Sequence, residues 1–427
     1  MLSRVLDVSE EDLTWSHIEA LVASRVPEDQ LIEYTETLPA NTDTGRHDFV
    51  REVVALANGG GGLYVVGIRD QDDTAAAVVP VPLGSERTRL HQLAMSRIVP
   101  PPDVRLHEVR RAPDDTVGVI IVEVRSSSNK PFAAVIDHRH EYPIRRGRHR
   151  DWLDEAAIDR LYRARHQRAS EVEDRIDGLA RRAGEQGGDF EHPRAFIAAA
   201  PTDPLGRVFR ADTPTMRGLP TPSYMFGEIP VIEPQRRAGF RRIEAAASFE
   251  MSYIESAGWI EIHDDGAYLA VIPGEDSLPE SNQPRAFFRA GMFVAQFLAR
   301  LSGLRALSDH FDLQTEYDLA AGITAANLPA FLIADSPALS APQDVRALTE
   351  PVTTHISIQL PADLNVLDPF LVTAKSLLDD LFTAFGWAGC PQITGEGILV
   401  PRAFGGGRSQ LVSRWVESQQ PHDDEEP

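Results

Sequence analysis

The segment ALANGGGGLYVVGIRD, from Ala55 to Asp70, contains the most informative local pattern in the N-terminal part of the sequence. The segment Phe49–Ala57 has apolar residues at helical spacing, and it continues into Asn58 and four glycines. Leu63–Ile68 follows as a short apolar run, which is typical of a buried strand. This order predicts a helix that ends on glycine and turns directly into a strand.

Helix and strand patterns alternate on both sides of this stretch over residues 1–168. Helices are predicted at Leu13–Val22 and Leu153–Arg168. Strands are predicted at Leu31–Thr37, Val117–Val124 and Glu141–Arg145. Such alternation predicts a mixed α/β domain over residues 1–168.

The remainder predicts a second domain, of the α+β class, over residues 236–416. Between the two domains we expect a polar helix at Glu171–Ala183 and then a glycine- and proline-rich linker, which together occupy residues 169–235. The acidic composition of residues 417–427 predicts a disordered tail. The elements predicted in the second domain are a hairpin at Trp259–Ile272, strands at Phe311–Leu319 and His355–Leu360, and helices at 285–308 and 369–385.

Composition excludes several classes of protein. Of the 427 residues, 42% are hydrophobic and 25% are charged, which is typical of globular chains and not of disordered ones. The single cysteine, Cys390, excludes a disulfide framework and a cysteine-based zinc site. The sequence has no apolar run of membrane-spanning length and no secretion signal at its start, so we expect a cytoplasmic protein without a membrane partner.

Net charge also limits the ways in which this chain binds nucleic acid. Its 42 basic and 64 acidic residues give a net charge of −22, which leaves only a local basic face for that purpose. Residues 1–170 carry 22 basic and 27 acidic side chains, whereas residues 171–427 carry 20 and 37, a net charge of −17. We therefore expect nucleic acid, RNA or DNA, to bind the first part and not the second.

Three acidic residues form the first candidate site. Glu33 lies in a predicted strand and faces the same side as Thr35, Glu28 precedes that strand, and Asp70 ends a neighbouring one. Three carboxylates around one point would bind Mg²⁺ or Mn²⁺, and such a metal can activate water against a phosphodiester. The alternative is a set of solvated surface acids, which spacing alone favours.

The second candidate site consists of Asn58, Gly59, Gly60, Gly61 and Gly62, whose backbone amides could approach an anion or a nucleotide. The alternative is a glycine helix end. No lysine with serine or threonine follows the glycines, so the segment is not a Walker motif and gives little support for ATP binding.

A run of arginines forms the third candidate site, with five members that could contact the phosphates of RNA or DNA: Arg139, Arg145, Arg146, Arg148 and Arg150. The alternative is a solvated strand end that pairs with Asp151, Asp154 and Glu155. The two alternatives are close to even on the sequence.

Five segments in order resemble the landmarks of the Schlafen AlbA-like domain family. The resemblance covers about two fifths of the chain and says little about residues 190–427. The segments are LIEYTE (Leu31–Glu36), ALANGGGGLYVVGIRD (Ala55–Asp70), IVPPPDV (Ile98–Val104), VGVIIVEVRSSSNKPF (Val117–Phe132) and YPIRRG (Tyr142–Gly147).

The resemblance implies a role as well as a fold. In bacteria the family is described as ATP- or DNA-binding regulators, and in its ribonuclease members the metal-binding acids correspond to Glu28, Glu33 and Asp70. The family's lysine is replaced here by Thr35, which brings no charge to a scissile phosphate. Vertebrate nucleases of the family build a positive groove from a duplicated lobe. The single copy in this chain would have to form a homo-oligomer to supply such a groove.

Three hypotheses about function follow. The favoured one is a nucleic-acid-binding or nucleotide-sensing regulator without strong catalysis, because Thr35 and the acidic total argue against a nuclease. The second is a ribonuclease dependent on Mg²⁺ or Mn²⁺ at Glu28, Glu33 and Asp70. The third is a scaffold that acts through protein partners of its C-terminal domain.

Overall fold

The computed structural model contains the helix, the glycine turn and the strand that the sequence predicts around Asn58. The chain divides into two units, Met1–Arg168 and Ala169–Pro427. The structure describes residues 2–8, 12–185, 193–219, 235–246, 258–274, 286–313, 315–324, 329–334, 346–360, 367–405, 409–410 and 412–413.

The N-terminal unit has a mixed sheet with helices on both faces. Its helices are α1 (Leu2–Val5), α2 (Trp15–Ala23), α3 (Asp43–Gly59) and α4 (Ser85–Arg97). Its strands are β1 (Ile32–Thr35), β2 (Gly62–Val66), β3 (Ile68–Gln71), β4 (Thr74–Val78), β5 (Val81–Pro82), β6 (Ile98–Val99), β7 (Val104–Val109), β8 (Val117–Val124), β9 (Ala133–Ile136), β10 (Arg139–Glu141), β11 (Pro143–Arg146) and β12 (His149–Trp152).

Strand alternation assigns the central side chains to two separate cores. β1 runs parallel to β2, and β8 is antiparallel to β2, β5 and β7. Leu63 and Val65 of β2 pack in one core with residues of α1 and α2, whereas Tyr64 and Val66 pack in the other with residues of α3 and α4. The mixed fold predicted for this part of the chain is confirmed.

Two short hairpins follow the sheet. β9 pairs with β10 and with β6, and β11 pairs with β12. The turn between β9 and β10 contains Asp137 and His138, both with positive φ, and the turn between β11 and β12 contains Gly147 with φ +62°. Both pairs carry the arginines that the sequence analysis selected.

A single helix, α5 (Glu155–Glu185), replaces the two helices predicted at Leu153–Arg168 and Glu171–Ala183. The two predicted patterns are separated only by Ala169 and Ser170, and neither residue stops helix propagation. The C-terminal part of α5 carries Ile176, Leu179 and Ala183, which pack in a core of the second unit.

The second unit is an α+β fold around a seven-stranded antiparallel sheet in the order β14-β15-β16-β17-β13-β19-β21. Its helices are α6 (Thr213–Gly218), α7 (Ala290–His310) and α8 (Leu367–Ala384). Its strands are β13 (Arg194–Pro201), β14 (Gln235–Gly239), β15 (Arg242–Ala246), β16 (Trp259–His263), β17 (Tyr268–Pro273), β18 (Ala286–Arg289), β19 (Glu316–Ile323), β20 (Ala330–Ile333) and β21 (Val352–Gln359).

The predicted linker over residues 169–235 is wrong at β13, which lies near the middle of this sheet between β17 and β19. Its sequence, RAFIAAAP, is rich in alanine and lacks the branched residues that indicate a strand. The predicted helix at 285–308 is β18 followed by α7, and the predicted strand at Phe311–Leu319 begins later, at Glu316. The hairpin at Trp259–Ile272 is confirmed, and residues 417–427 lie outside the described residues.

Helices α7 and α8 contribute to one core of the second unit, together with inward side chains of its sheet. The C-terminal part of α5 contributes to a second core with other side chains of the same sheet, including Phe196 and Trp259. Within the described ranges, no helix has the length and apolar composition needed to cross a bilayer.

A buried carboxylate links α5 to this sheet. Glu261 of β16 is fully buried, the Nε atom of Arg182 lies 2.6 Å from its carboxylate oxygens, and His263 lies 3.2 Å away. Burial opposes ionisation of Glu261, but hydrogen bonds from His263 and Arg182 outweigh it and lower the pKa of the carboxyl to about 2.

The low pKa of Glu261 makes stability depend on pH in a defined direction. The unfolded chain takes up this proton first as the pH falls, so the stabilisation is complete above about pH 4.5 and is lost towards about pH 2. We expect Glu261→Gln to be less stable than wild type at neutral pH and to lose less stability over that interval. Urea unfolding followed by circular dichroism at several pH values measures both. The exposed control Glu396→Gln should keep the wild-type pH dependence, and a Glu261→Gln curve parallel to wild type would contradict the prediction.

Candidate functional site

Strand β1 places Glu33 and Thr35 on the face of the sheet that α3 covers. Ile32 and Tyr34 alternate with them and are buried in the core that contains α1 and α2. Glu33 is only partly exposed, and the side-chain hydroxyl of Thr35 donates to the carbonyl of Thr37 at 3.2 Å. The expected common orientation of Glu33 and Thr35 is therefore present.

The guanidinium of Arg145 is buried beside Glu33. Its Nε atom donates to the carbonyl of Asp29 at 2.7 Å, and its Nη2 atom donates to the carbonyl of Ile32 at 3.2 Å. Nη2 also lies 2.5 Å from Oε2 of Glu33, and Nη1 lies 3.9 Å from Oε2 of Glu52. The prediction that Arg145 contacts nucleic acid is corrected here, because a side chain this deeply buried has its charge directed at the protein interior.

Glu28, Glu33 and Asp70 lie within electrostatic reach of one another. An oxygen of Glu28 accepts a hydrogen bond from the backbone N–H of Tyr34 at 2.9 Å, and Asp70 is exposed on β3. Burial raises the pKa of Glu28, and the negative charges of Glu33 and Asp70 raise it further. Burial likewise raises the pKa of Glu33, although the charge of Arg145 opposes that shift.

Glu52 of α3 is a fourth acid of this site, and the sequence analysis missed it. Burial raises the pKa of its carboxyl, and the nearby charges of Arg150 and Arg145 oppose the rise. The Nη1 atom of Arg150 donates to Oε1 of Glu52 at 2.7 Å. A signal existed in the sequence: Glu52 follows Phe49 by three residues and precedes Leu56 by four, so it shares their inward side of the helix.

This arrangement does not fit a divalent cation. Within the described ranges, no group of three or more His, Cys, Asp or Glu side chains has a geometry that could hold a metal ion. The positive charge beside Glu33 is already supplied by Arg145, at 2.5 Å from Oε2. A metal at Glu33 would face the repulsion of that fixed cation, so we derive no catalytic step through a metal.

Asn58 connects three segments through its side chain. Its Nδ2 atom donates to the carbonyls of Phe132 at 2.9 Å and Pro143 at 2.8 Å, and its Oδ1 atom accepts from the N–H of Phe132 at 2.8 Å. The residue is buried. All of these bonds are to the backbone, so Asn58 holds α3 against the start of β11.

The glycines that follow form the helix end considered as the alternative to an anion site. Gly60 has φ +112°, and its N–H donates to the carbonyl of Ala57, while the N–H of Gly61 donates to that of Leu56. A Cβ on Gly62 would lie 2.7 Å from the carbonyl oxygen of Leu31, so the turn needs glycine there for close approach. The anion site predicted at Asn58 and Gly59–Gly62 thus lacks available donors at Gly60 and Gly61, and the negative end of the helix dipole disfavours an anion.

The other four predicted arginines are exposed on the two hairpins. Arg139 lies on β10 between His138 and His140, which are also exposed. On β11–β12 the exposed residues with basic side chains are Arg146, Arg148, His149 and Arg150. These arginines make surface ion pairs: Arg146 with Asp151 at 3.7 Å, Arg150 with Glu52 at 2.7 Å, and Arg148 with Asp73.

An aromatic side chain lies at the end of the same hairpin. Trp152 closes β12 opposite Pro143 and is 48% exposed. The β11–β12 hairpin thus combines exposed cations with one exposed ring.

Comparison with known proteins identifies the N-terminal part. Residues 28–154 match the family model described as Schlafen, AlbA_2, which confirms the resemblance for that part of the chain. A comparison with curated proteins gives no match.

Two solved structures show limited similarity. The N-terminal domain of a RecG-related protein from Nitrosomonas europaea has 16% identity and a TM-score of 0.23, covering 31% of this chain and 88% of that one. The DIP2311 protein from Corynebacterium diphtheriae has 12% identity and a TM-score of 0.23. That comparison covers 91% of this chain but only 63% of the other protein.

The burial of Arg145 leads to a prediction about stability. Arg145→Met keeps most of the side-chain length but leaves two carbonyls without their donor and the Glu33 carboxylate without its cation, so we expect a loss of about 3–5 kcal/mol in the free energy of unfolding. Urea unfolding of the full-length protein, with hydrogen exchange of peptides from β1, measures it. The exposed neighbour provides the control, since Arg146→Met should cost less than about 1 kcal/mol. Equal stability of the two variants would show that the buried ion pair is not a structural requirement.

Proposed function

We propose that the N-terminal unit is the nucleic-acid-binding module of a regulatory protein and that it binds phosphates through the exposed arginines of its two hairpins. The observation that carries this proposal is the β11–β12 hairpin and its turn, where Arg146, Arg148, Arg150 and Trp152 are all exposed. The turn lies inside the segment that matches the Schlafen, AlbA_2 family model.

The chemistry of these residues suits a phosphate backbone. Arginine presents its donors in a planar fork that matches phosphate oxygens, and contacts of this kind position a protein without reading base sequence. The ion pairs of Arg146 and Arg148 are with exposed acids, which a phosphate can replace at low cost because surface pairs are worth little. The ring of Trp152 offers a stacking surface for an unpaired base.

Nucleic acid is favoured over nucleotide sensing by the partners of the glycines. The N–H groups of Gly60 and Gly61 are donors in the cap of α3, and the Asn58 side chain is bonded to backbone groups. A nucleotide would therefore have to compete with the helix end for these groups.

A binding assay tests the proposal. We expect Arg146→Ala/Arg148→Ala to weaken binding of labelled RNA and duplex DNA and to lower the salt slope of log K by about 1.8 for the duplex, since each lost phosphate contact removes about 0.9. Fluorescence anisotropy at several salt concentrations measures both quantities. Arg110→Ala/Arg111→Ala, the matched control, removes the same charge from exposed positions after β7. Equal losses of affinity in the two double variants would mean that binding depends only on the overall charge, which would contradict the proposed site.

A ribonuclease is the second candidate, because Glu28, Glu33 and Asp70 lie within electrostatic reach of one another. We expect no cleavage, because Arg145 already pairs with Glu33 and Thr35 brings no charge. The assay incubates full-length protein with end-labelled tRNA, single-stranded RNA and duplex DNA in Mn²⁺, Mg²⁺ or EDTA. The informative variant is Asp70→Asn, because Asp70 is exposed and its replacement leaves the Arg145 ion pair intact. Metal-dependent cleavage that disappears in Asp70→Asn would establish the nuclease.

A further inference from the structure

The hairpin β14–β15 of the C-terminal unit has an unusual turn. Gly239 pairs with Arg242, so Phe240 and Arg241 alone form the two-residue connection. Phe240 is 86% exposed, and within β14, the turn and β15 it is the one large apolar side chain that is exposed. The sequence around it is QRRAGFRRIE, with two arginines on each side of Phe240.

The folding requirements of the turn do not explain Phe240, whereas Arg241 is held by the buried carboxylate of Asp264, to which its Nε atom donates. Two-residue hairpin turns favour glycine, asparagine and aspartate, which adopt positive φ at little cost. Arg241 has φ +57°, a conformation that costs a side chain of this kind roughly 1–2 kcal/mol. The ring of Phe240 gains almost no burial in exchange. The exposed ring of Phe240 is therefore available to stack on a ligand.

Buried acids hold a group of arginines around this hairpin, which we call the arginine cluster. Its three carboxylates, Glu244, Glu261 and Asp264, are at most 3% exposed. Five arginines share them and are 22–57% exposed: Arg182, Arg207, Arg237, Arg241 and Arg242.

The arginine cluster holds its guanidinium groups against buried carboxylates while the arginine side chains stay partly exposed. The Nε atom of Arg237 lies 2.5 Å from Oε2 of Glu244, and the Nε atom of Arg241 donates to both oxygens of Asp264 at 3.0 and 3.1 Å. Among the residues that the structure describes, five cations of this cluster share three anions, which gives the described part of the cluster a net positive charge. The net charge of −17 over residues 171–427, which led us to expect no nucleic acid here, therefore does not describe this surface.

A ring among arginines matches one class of ligand better than the others. An unpaired base needs only one exposed ring to stack on, and its phosphates need nearby cations. A stable protein interface needs a larger apolar centre, of which Phe240 supplies one side chain. Paired bases offer no free face to a ring unless the duplex is unstacked at an energetic cost.

We propose that the β14–β15 hairpin binds single-stranded nucleic acid, with a base stacked on Phe240 and the adjacent phosphates contacted by the arginine cluster. This inference concerns a different unit from the basic hairpins β9–β10 and β11–β12, and it does not rest on their function. It assigns the C-terminal unit a binding activity of its own.

The test uses full-length protein and a fluorescein-labelled oligouridylate of about 12 nucleotides, with a duplex of the same length as a second probe. We expect Phe240→Ala to weaken binding of the single strand roughly tenfold and to leave duplex binding unchanged, while Phe240→Tyr, which keeps the ring, binds as wild type does. Ile398→Ala removes another large exposed apolar side chain, 58% exposed, from the same unit and serves as the control. Thermal unfolding of each variant confirms that the fold is retained.

A crosslink separates this inference from the proposed function. With 4-thiouridine in the oligonucleotide, ultraviolet light should attach it to the peptide that contains Phe240, also in the Arg146→Ala/Arg148→Ala variant. Crosslinks confined to residues 139–152, with no effect of Phe240→Ala, would overturn the inference and leave the proposed function standing. Phe240-dependent binding of an acidic peptide with the sequence of residues 417–427, without binding of the oligonucleotide, would overturn it in favour of a protein ligand.

Discussion

The N-terminal site depends on one buried cation. The guanidinium of Arg145 bonds to two carbonyls next to or within β1 and faces the carboxylate of Glu33, so it fixes the β11–β12 hairpin against the sheet. An arginine in a protein does not give up its proton, and neighbouring acids can therefore collect around it without an external ion. Because strand neighbours point to opposite sides, burial of Arg145 also directs Arg146 to solvent. The interior ion pair of Arg145 and the exposure of Arg146 therefore follow from one strand register.

The sequence carries much of this fold because alternation and helix ends are local signals. It predicts β2 and β8, the glycine end of α3 and the common side of Glu33 and Thr35. It does not distinguish Arg145 from the neighbouring arginines, since its hydrogen-bond acceptors lie 113 and 116 residues earlier in the chain. The glycine sequence is also compatible with two interpretations, a helix end and an anion site. The choice between them becomes clear only when the partner of each N–H group is known.

The C-terminal unit shows where such signals end. β13 lies between β17 and β19 in its sheet, and these neighbours, rather than the strand's own alanine-rich sequence, make it a strand. The resemblance to a known family stops before this unit, so no motif compensates for the weak local pattern. Net charge is an equally poor indicator of nucleic-acid binding. Buried carboxylates that pair with arginines contribute to the total as much as carboxylates exposed to solvent do. A charge total describes a whole unit, while recognition depends on the few groups that water reaches.

Helix α5 determines where this protein can be divided. The boundary between the units falls at residues 168 and 169, within an unbroken helix of 31 residues. A cut at that boundary would leave two helix stubs, each with new unpaired backbone groups at its end. A C-terminal fragment has to retain Arg182, because the buried carboxylate of Glu261 needs its positive charge. It also has to retain the turns of α5 that precede Arg182 and pack on the sheet. We therefore expect fusion of the C-terminal unit to another protein to be tolerated in the turns of α5 before Val172, the first residue of the helix that packs on this core, and not beyond it.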